Sequence, residues 1–89
     1  MLKLITAPLG PLTVRVVDEE DRSGPPDLCV VLCHGYGAPG TDLVGLAREC
    51  FSIDNTLVGR VRFVFPEAPE MTDFGGRQWW PIEIGRAHV

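Results

Sequence analysis

Four consecutive residues near the middle of the chain could support chemistry: His34, Gly35, Tyr36 and Gly37. They directly follow an uninterrupted apolar run at residues 28–33. Glycines just beyond a strand allow backbone N–H groups to approach a bound group closely. Such N–H groups can form half of an oxyanion hole, which stabilises the negative oxygen of the tetrahedral intermediate in acyl transfer. The loop is therefore a candidate oxyanion-binding site.

The same loop also matches a dinucleotide-binding pattern. Gly35, Gly37 and Gly40 spell G-x-G-x-x-G between a predicted strand and a predicted helix. Glu67, just after the next predicted strand, could then contact a ribose. Against this interpretation, a helix beginning near Asp42 would place a carboxylate where a pyrophosphate must bind. The proline inside the motif also removes one backbone donor.

A strand–helix–strand unit must position this loop. The apolar run at residues 28–33 predicts a strand buried on both faces, as in parallel sheets. Residues 42–51 predict a helix capped by Thr41, because apolar side chains recur on one face at helical spacing. Residues 61–65 predict a second strand that ends at Pro66. The connection between the two strands is long enough for a right-handed parallel crossover.

The segments on either side of this unit are predicted as a hairpin and two loops. Residues 2–6 and 12–17 alternate between polar and apolar side chains around a proline- and glycine-rich turn, which predicts a β-hairpin. Residues 18–27 predict a solvated loop, with the acidic run 18–21 exposed. Residues 67–81 predict a long loop. The fold class is therefore α/β, a β-hairpin followed by a β-α-β parallel unit.

Length, charge and cysteine content limit the class of protein. The chain has 89 residues and a formal net charge of −4. It is long enough for one small domain, and its acidity argues against nucleic acid and anionic membranes as partners. An odd number of cysteines predicts reduced thiols and a cytoplasmic location; the three are Cys29, Cys33 and Cys50. The longest apolar run has six residues, so no membrane span is predicted.

Separate motifs in a fixed order carry a resemblance to a known family. They lie at residues 32–37, 42–43, 63–69 and 76–82. Together they resemble the phospholipase/carboxylesterase branch of the α/β-hydrolases, which includes acyl-protein thioesterase-like serine hydrolases. The resemblance covers residues 28–82. It implies the N-terminal part of an α/β-hydrolase fold with an incomplete sheet, a small ester or thioester as substrate, and no metal or organic cofactor.

The resemblance also implies roles for individual residues. The backbone N–H of Tyr36, or that of Gly37, would donate to the oxyanion. His34 and Gly35 would give the loop its shape. Two aromatic side chains would line the acyl or leaving-group side of a cleft: Trp79 and Trp80.

The catalytic triad of such enzymes cannot be assembled from this chain. The family needs a serine on a G-x-S-x-G elbow, followed by an acid and a histidine. Neither Ser23 nor Ser52 lies in such an elbow, and the only histidines are His34 and His88. The resemblance thus implies that the triad belongs to a further C-terminal part, and the 89-residue chain alone is predicted to be inactive. Without that part the strand at residues 28–33 would have an exposed edge and would promote aggregation.

The last six residues suggest a non-native origin. Residues 84–89 match the translation of one frame of a common sequencing adapter, so the native domain is predicted to be residues 1–83.

Two other classes of function stay open. One is a Rossmann-like nucleotide-binding half, and the other is a small non-catalytic α/β interaction module.

Overall fold

A mixed sheet of four strands carries the glycine loop. The computed structural model describes residues 1–22 and 24–80. The strands of the sheet are β1 (Leu2–Leu9), β2 (Leu12–Glu19), β3 (Leu28–Val31) and β4 (Val61–Pro66). They lie in the order β1-β2-β4-β3, with only the β3–β4 pair parallel. With one α-helix among the described residues, this is a small α/β-type domain, as predicted.

The predicted hairpin is formed by β1 and β2. Their antiparallel ladder runs from the Leu2–Glu19 pair to the Leu9–Leu12 pair, so both strands are longer than the alternating pattern predicted. The turn between them includes Gly10 at a φ of +58°, a conformation that favours glycine.

Asp18 corrects the expectation of a fully solvated acidic run. Its side chain is buried, and Oδ2 accepts a hydrogen bond from Nε of Arg62 at 2.8 Å. The carboxylate also forms an ion pair with Arg22. A buried carboxylate needs such partners to offset the loss of its hydration. The exposed part of the run is limited to Glu20 and Asp21, because Asp18 is still part of β2.

The helix α1 (Gly45–Ile53) begins later than predicted. Its N-cap is Val44, which forms no side-chain cap, so the predicted cap at Thr41 is wrong. Turns with i to i+3 hydrogen bonds lead from the glycine loop into the helix and delay its start; the Val44 N–H donates to the Thr41 carbonyl at 3.2 Å. The apolar face packs on the sheet as predicted, with Ala47 and Phe51 buried.

The core lies between α1 and the sheet. Alternate residues of β4, Val61, Phe63 and Phe65, face this side and are buried. Phe51 of α1 packs edge-on against Phe63 with ring centroids 5.3 Å apart. A short 3₁₀ helix, Asn55–Leu57, returns the chain from α1 to β4.

Strand β3 lies at the edge of the sheet and is not buried on both faces. Leu28 and Val31 are each 57% exposed, and Cys29 and Cys33 are also exposed. The burial prediction is wrong because, within residues 1–22 and 24–80, only β4 pairs with this strand. In the part of the chain that the structure describes, the outer edge of β3 is exposed.

The predicted loop after β4 contains a second small sheet. Strands β5 (Glu70–Met71) and β6 (Arg77–Gln78) pair antiparallel. Residues 81–89, and with them the six that suggest an adapter-derived tail, lie outside the described residues. No helix in the described part is long and apolar enough to cross a membrane.

Candidate functional site

The glycine loop leaves the carboxyl end of β3 and is held by the chain that follows β4. We call residues 67–79 the clasp. It contains β5 and β6 and contacts the loop at several points, through both side chains and backbone. The contacts decide which groups of the loop are engaged and which remain free to bind a ligand.

His34 joins the loop to the start of the clasp. Its ring is buried, and Nε2 accepts a hydrogen bond from the backbone N–H of Ala68 at 3.0 Å. Nδ1 lies 2.9 Å from the carbonyl oxygen of Gly35, to which it donates. A ring nitrogen that accepts carries no proton, so this pattern assigns a neutral ring protonated at Nδ1. Both nitrogens are therefore engaged, and His34 shapes the loop rather than serving as a general base.

Trp79 holds the other side of His34. Its indole N–H donates to the His34 carbonyl oxygen at 2.9 Å. The two rings are stacked, with centroids 5.2 Å apart and an interplanar angle of 29°. Trp80, by contrast, is 68% exposed. Of the two tryptophans proposed from the sequence, only Trp79 is brought to the loop, where it packs on the histidine.

Gly37 is paired with the clasp through its backbone. Its N–H donates to the Arg77 carbonyl at 2.8 Å, and the Arg77 N–H donates to the Ala38 carbonyl at 3.0 Å. Gly37 has a φ of +80°, which favours glycine. The expectation that Gly37 could be an oxyanion donor is therefore corrected, because its N–H already has an acceptor within the protein.

Gly76 permits this close approach. A Cβ added at Gly76 would overlap the carbonyl group of Gly37, so no larger residue fits without moving the backbone. Sequence reasoning missed this contact. The available signal in the sequence is the Gly75-Gly76 pair, which lies within the predicted loop.

The backbone N–H of Tyr36 is free to donate to a ligand. Its N–H has no acceptor in the part of the chain that the structure describes, and its side chain is 51% exposed. The residues around it are fixed: the Gly35 carbonyl accepts from the Ala38 N–H at 3.2 Å as well as from the His34 ring. The loop thus presents the Tyr36 N–H beside a turn that the Ala38 N–H and the His34 ring hold in place.

A second ion-paired cluster lies beside the loop. One oxygen of Glu67 accepts a hydrogen bond from Arg15 of β2 at 2.7 Å, and the other lies 3.4 Å from Arg77 of β6. The hydrogen bond from Arg15 lowers the pKa of the Glu67 carboxyl, and the charges of both arginines act in the same direction. Gly40 packs on this cluster, and a Cβ there would lie within 2.8 Å of Arg15 Nη1.

The glycine spacing does not produce an open phosphate cradle. The N–H of Gly37 is engaged, Pro39 has none, and Gly40 is buried against the Glu67 ion pairs. Helix α1 also begins well beyond the loop, so its N-terminus does not follow the motif directly. Glu67 is held by two arginines and is not a free ribose acceptor. The geometry therefore does not favour the nucleotide-binding alternative.

The site is an open surface in the described part of the chain. Residues 1–22 and 24–80 contain no enclosed pocket and no cluster of three side chains able to hold a metal ion. Comparison with known proteins adds no assignment: no family model matches the chain, and no solved structure gives a significant match.

Proposed function

We propose that this chain is the N-terminal part of a serine hydrolase that cleaves carboxylic esters or thioesters, and that the Tyr36 N–H is one oxyanion donor. The observation that carries the proposal is the Tyr36 N–H, which has no acceptor among the described residues, next to residues that are held by hydrogen bonds. Donors held in place before reaction stabilise a developing negative charge without further reorganisation. The mixed sheet, with its parallel β3–β4 pair joined through α1, supports the same family.

The chemistry assigned to this chain is electrostatic. A serine hydroxyl from a further C-terminal part would attack the carbonyl carbon while a histidine from that part takes its proton. The carbonyl oxygen would become negative and accept from the Tyr36 N–H and from an N–H after the serine. The alcohol or thiol would then leave with the proton, and water would hydrolyse the acyl-enzyme. His34 has no part in proton transfer, since both of its ring nitrogens are engaged.

Charge and cysteine content support the remaining parts of the proposal. The net charge of −4 disfavours nucleic acid as a partner. Three unpaired cysteines suit a reducing compartment such as the cytoplasm. The substrate in this proposal is a small ester or thioester, as the resemblance to the carboxylesterase branch implies.

The test begins with the coding sequence downstream of residue 83. We expect it to continue to a G-x-S-x-G elbow, and we expect the extended protein to hydrolyse p-nitrophenyl butyrate or a short acyl thioester. Tyr36→Pro removes the N–H and should lower kcat by about 10²-fold or more. Tyr36→Phe keeps the N–H and should leave kcat nearly unchanged.

Two results would contradict the proposal. One is a native stop codon directly after Val89, which would favour a small non-catalytic interaction module instead. The other is an equal kcat for the Tyr36→Pro and Tyr36→Phe variants of the extended protein. The 89-residue chain itself should show no turnover above a matched blank.

A further inference from the structure

A carboxylate beside the loop has no role in the acyl-transfer steps above. Glu67 lies at the junction of β4 and the clasp, and its backbone N–H donates to the Thr13 carbonyl of β2 at 2.8 Å. Its side chain bonds to Arg15 of the same strand at 2.7 Å. Backbone and side chain therefore both tie Glu67 to β2, which lies inside the four-stranded sheet.

The other oxygen of Glu67 reaches the residue that holds the loop. It lies 3.4 Å from Nη2 of Arg77, and the backbone of Arg77 pairs with Gly37 and Ala38. Arg77 is thus connected to the sheet by its side chain and to the glycine loop by its main chain. A path of direct contacts leads from β2 through Glu67 and Arg77 to the residue next to Tyr36.

We propose that Glu67 is a positioning residue that fixes the glycine loop, and with it the Tyr36 N–H, through Arg77. The effect of this positioning on catalysis rests on the function proposed above, but the positioning itself can be measured without catalysis. Glu67 touches no substrate in this scheme. It sets the place of Arg77 on the sheet, and the two backbone hydrogen bonds of Arg77 set the loop.

The charge of Glu67 makes this positioning dependent on pH. The groups that face its carboxylate are Arg15 of β2, Arg77 of β6 and His34 after β3. Because Arg15 and Arg77 hold the pKa of Glu67 below its ordinary value, the ion pairs are complete above that ordinary value. The stabilisation is lost as the pH falls through the lowered pKa of the folded state.

The experiment measures the amide groups of the loop by NMR in the 89-residue chain. In the wild type, the Gly37 and Tyr36 amide shifts should titrate together with the Glu67 carboxyl carbon in the acid range. Glu67→Gln should abolish that titration and, at neutral pH, raise the hydrogen-exchange rate of the Gly37 N–H by about tenfold. Glu67→Asp keeps the charge and should retain an acid titration of the loop.

Glu70→Gln is the matched control, since Glu70 lies on the same segment and its side chain has, among the described residues, only an exposed hydrogen bond from Gln78. It should leave the titration and the Gly37 exchange rate unchanged. The proposal is overturned if Glu67→Gln leaves both unchanged, or if it speeds exchange equally in the β1–β2 hairpin. Either outcome would leave the hydrolase proposal intact, because that proposal is tested by the Tyr36 variants of the extended protein.

Discussion

The carboxyl end of β3 and the outer edge of β3 differ sharply in how far the rest of the chain contacts them. At the carboxyl end, the loop from His34 to Ala38 is hydrogen-bonded by the clasp on several sides. At the outer edge, Leu28 and Val31 are exposed, and no strand of residues 1–22 and 24–80 covers them. Polar contacts thus fix the candidate site, whereas an apolar surface is left without a neighbour.

The edge also lacks the features that keep sheet edges from pairing with other chains. Natural edges carry charges, prolines or bulges, and residues 28–33 contain no charge and no proline. Asp27, directly before the strand, forms an exposed ion pair with Arg60, and the two interacting atoms are 3.1 Å apart. The comparison shows that, among the described residues, contacts within the chain hold the loop, whereas the outer edge of β3 has no strand beside it.

The largest effect is expected from a change that opens the clasp. Gly76→Ala would push a methyl group into the Gly37 carbonyl, and the hairpin of β5 and β6 must then move away. We expect a loss of about 3 kcal/mol in the free energy of unfolding, the upper range for overpacking. Urea unfolding followed by tryptophan fluorescence measures it, because Trp79 is part of the clasp.

Gly35→Ala is the matched control for Gly76→Ala. A Cβ at Gly35 would meet nothing within 4 Å, and its φ is not positive. This variant should unfold close to the wild type. If the two variants lost equal stability, the close approach of the clasp would not be what holds the loop.

An intermediate effect is expected at the edge. We expect the wild-type chain to self-associate with rising concentration, and Val31→Lys to reduce this by placing a charge on the exposed edge. Sedimentation velocity over a range of concentrations measures it. Ile53→Lys is the control, because Ile53 is 87% exposed but lies on α1, away from β3. A wild-type chain that stays a monodisperse monomer at all concentrations would contradict self-association through the edge of β3.

The smallest effect on stability is expected from the removal of a single hydrogen bond of the clasp. Trp79→Phe keeps the stacking on His34 and removes the indole N–H that donates to its carbonyl. The expected cost is about 1 kcal/mol in the free energy of unfolding. Trp80→Phe should be nearly neutral, since Trp80 is largely exposed. The reverse ranking of the two variants by urea unfolding would show that Trp79 does not stabilise the loop.

Local sequence patterns predicted the parts of the fold that depend on neighbouring residues. Alternation predicted the β1–β2 hairpin, and the apolar strand–helix–strand order predicted the parallel β3–β4 pair. The start of α1 was missed because Thr41 is a good cap by type but lies in a turn with i to i+3 hydrogen bonds. A cap can be recognised in a sequence, but its backbone conformation cannot.

The candidate site was predictable only in part. The glycine motif located the loop, and it named Tyr36 and Gly37 as equivalent alternatives. Which of the two N–H groups is free depends on Arg77, forty residues further along the chain, whose carbonyl binds one of them. The burial of the apolar run at residues 28–33 was likewise unpredictable. The hydrophobic pattern identifies a strand but does not show whether another strand lies beside it.

The contacts of His34 impose an order on assembly during synthesis. Its partners Ala68 and Trp79 follow it by 34 and 45 residues, so they leave the ribosome later than the loop they hold. Since chains emerge from the N-terminus at roughly 5–20 residues per second, the loop spends seconds in water before its conformation can be fixed. The β1–β2 hairpin has no such delay, because its two strands are adjacent in the chain.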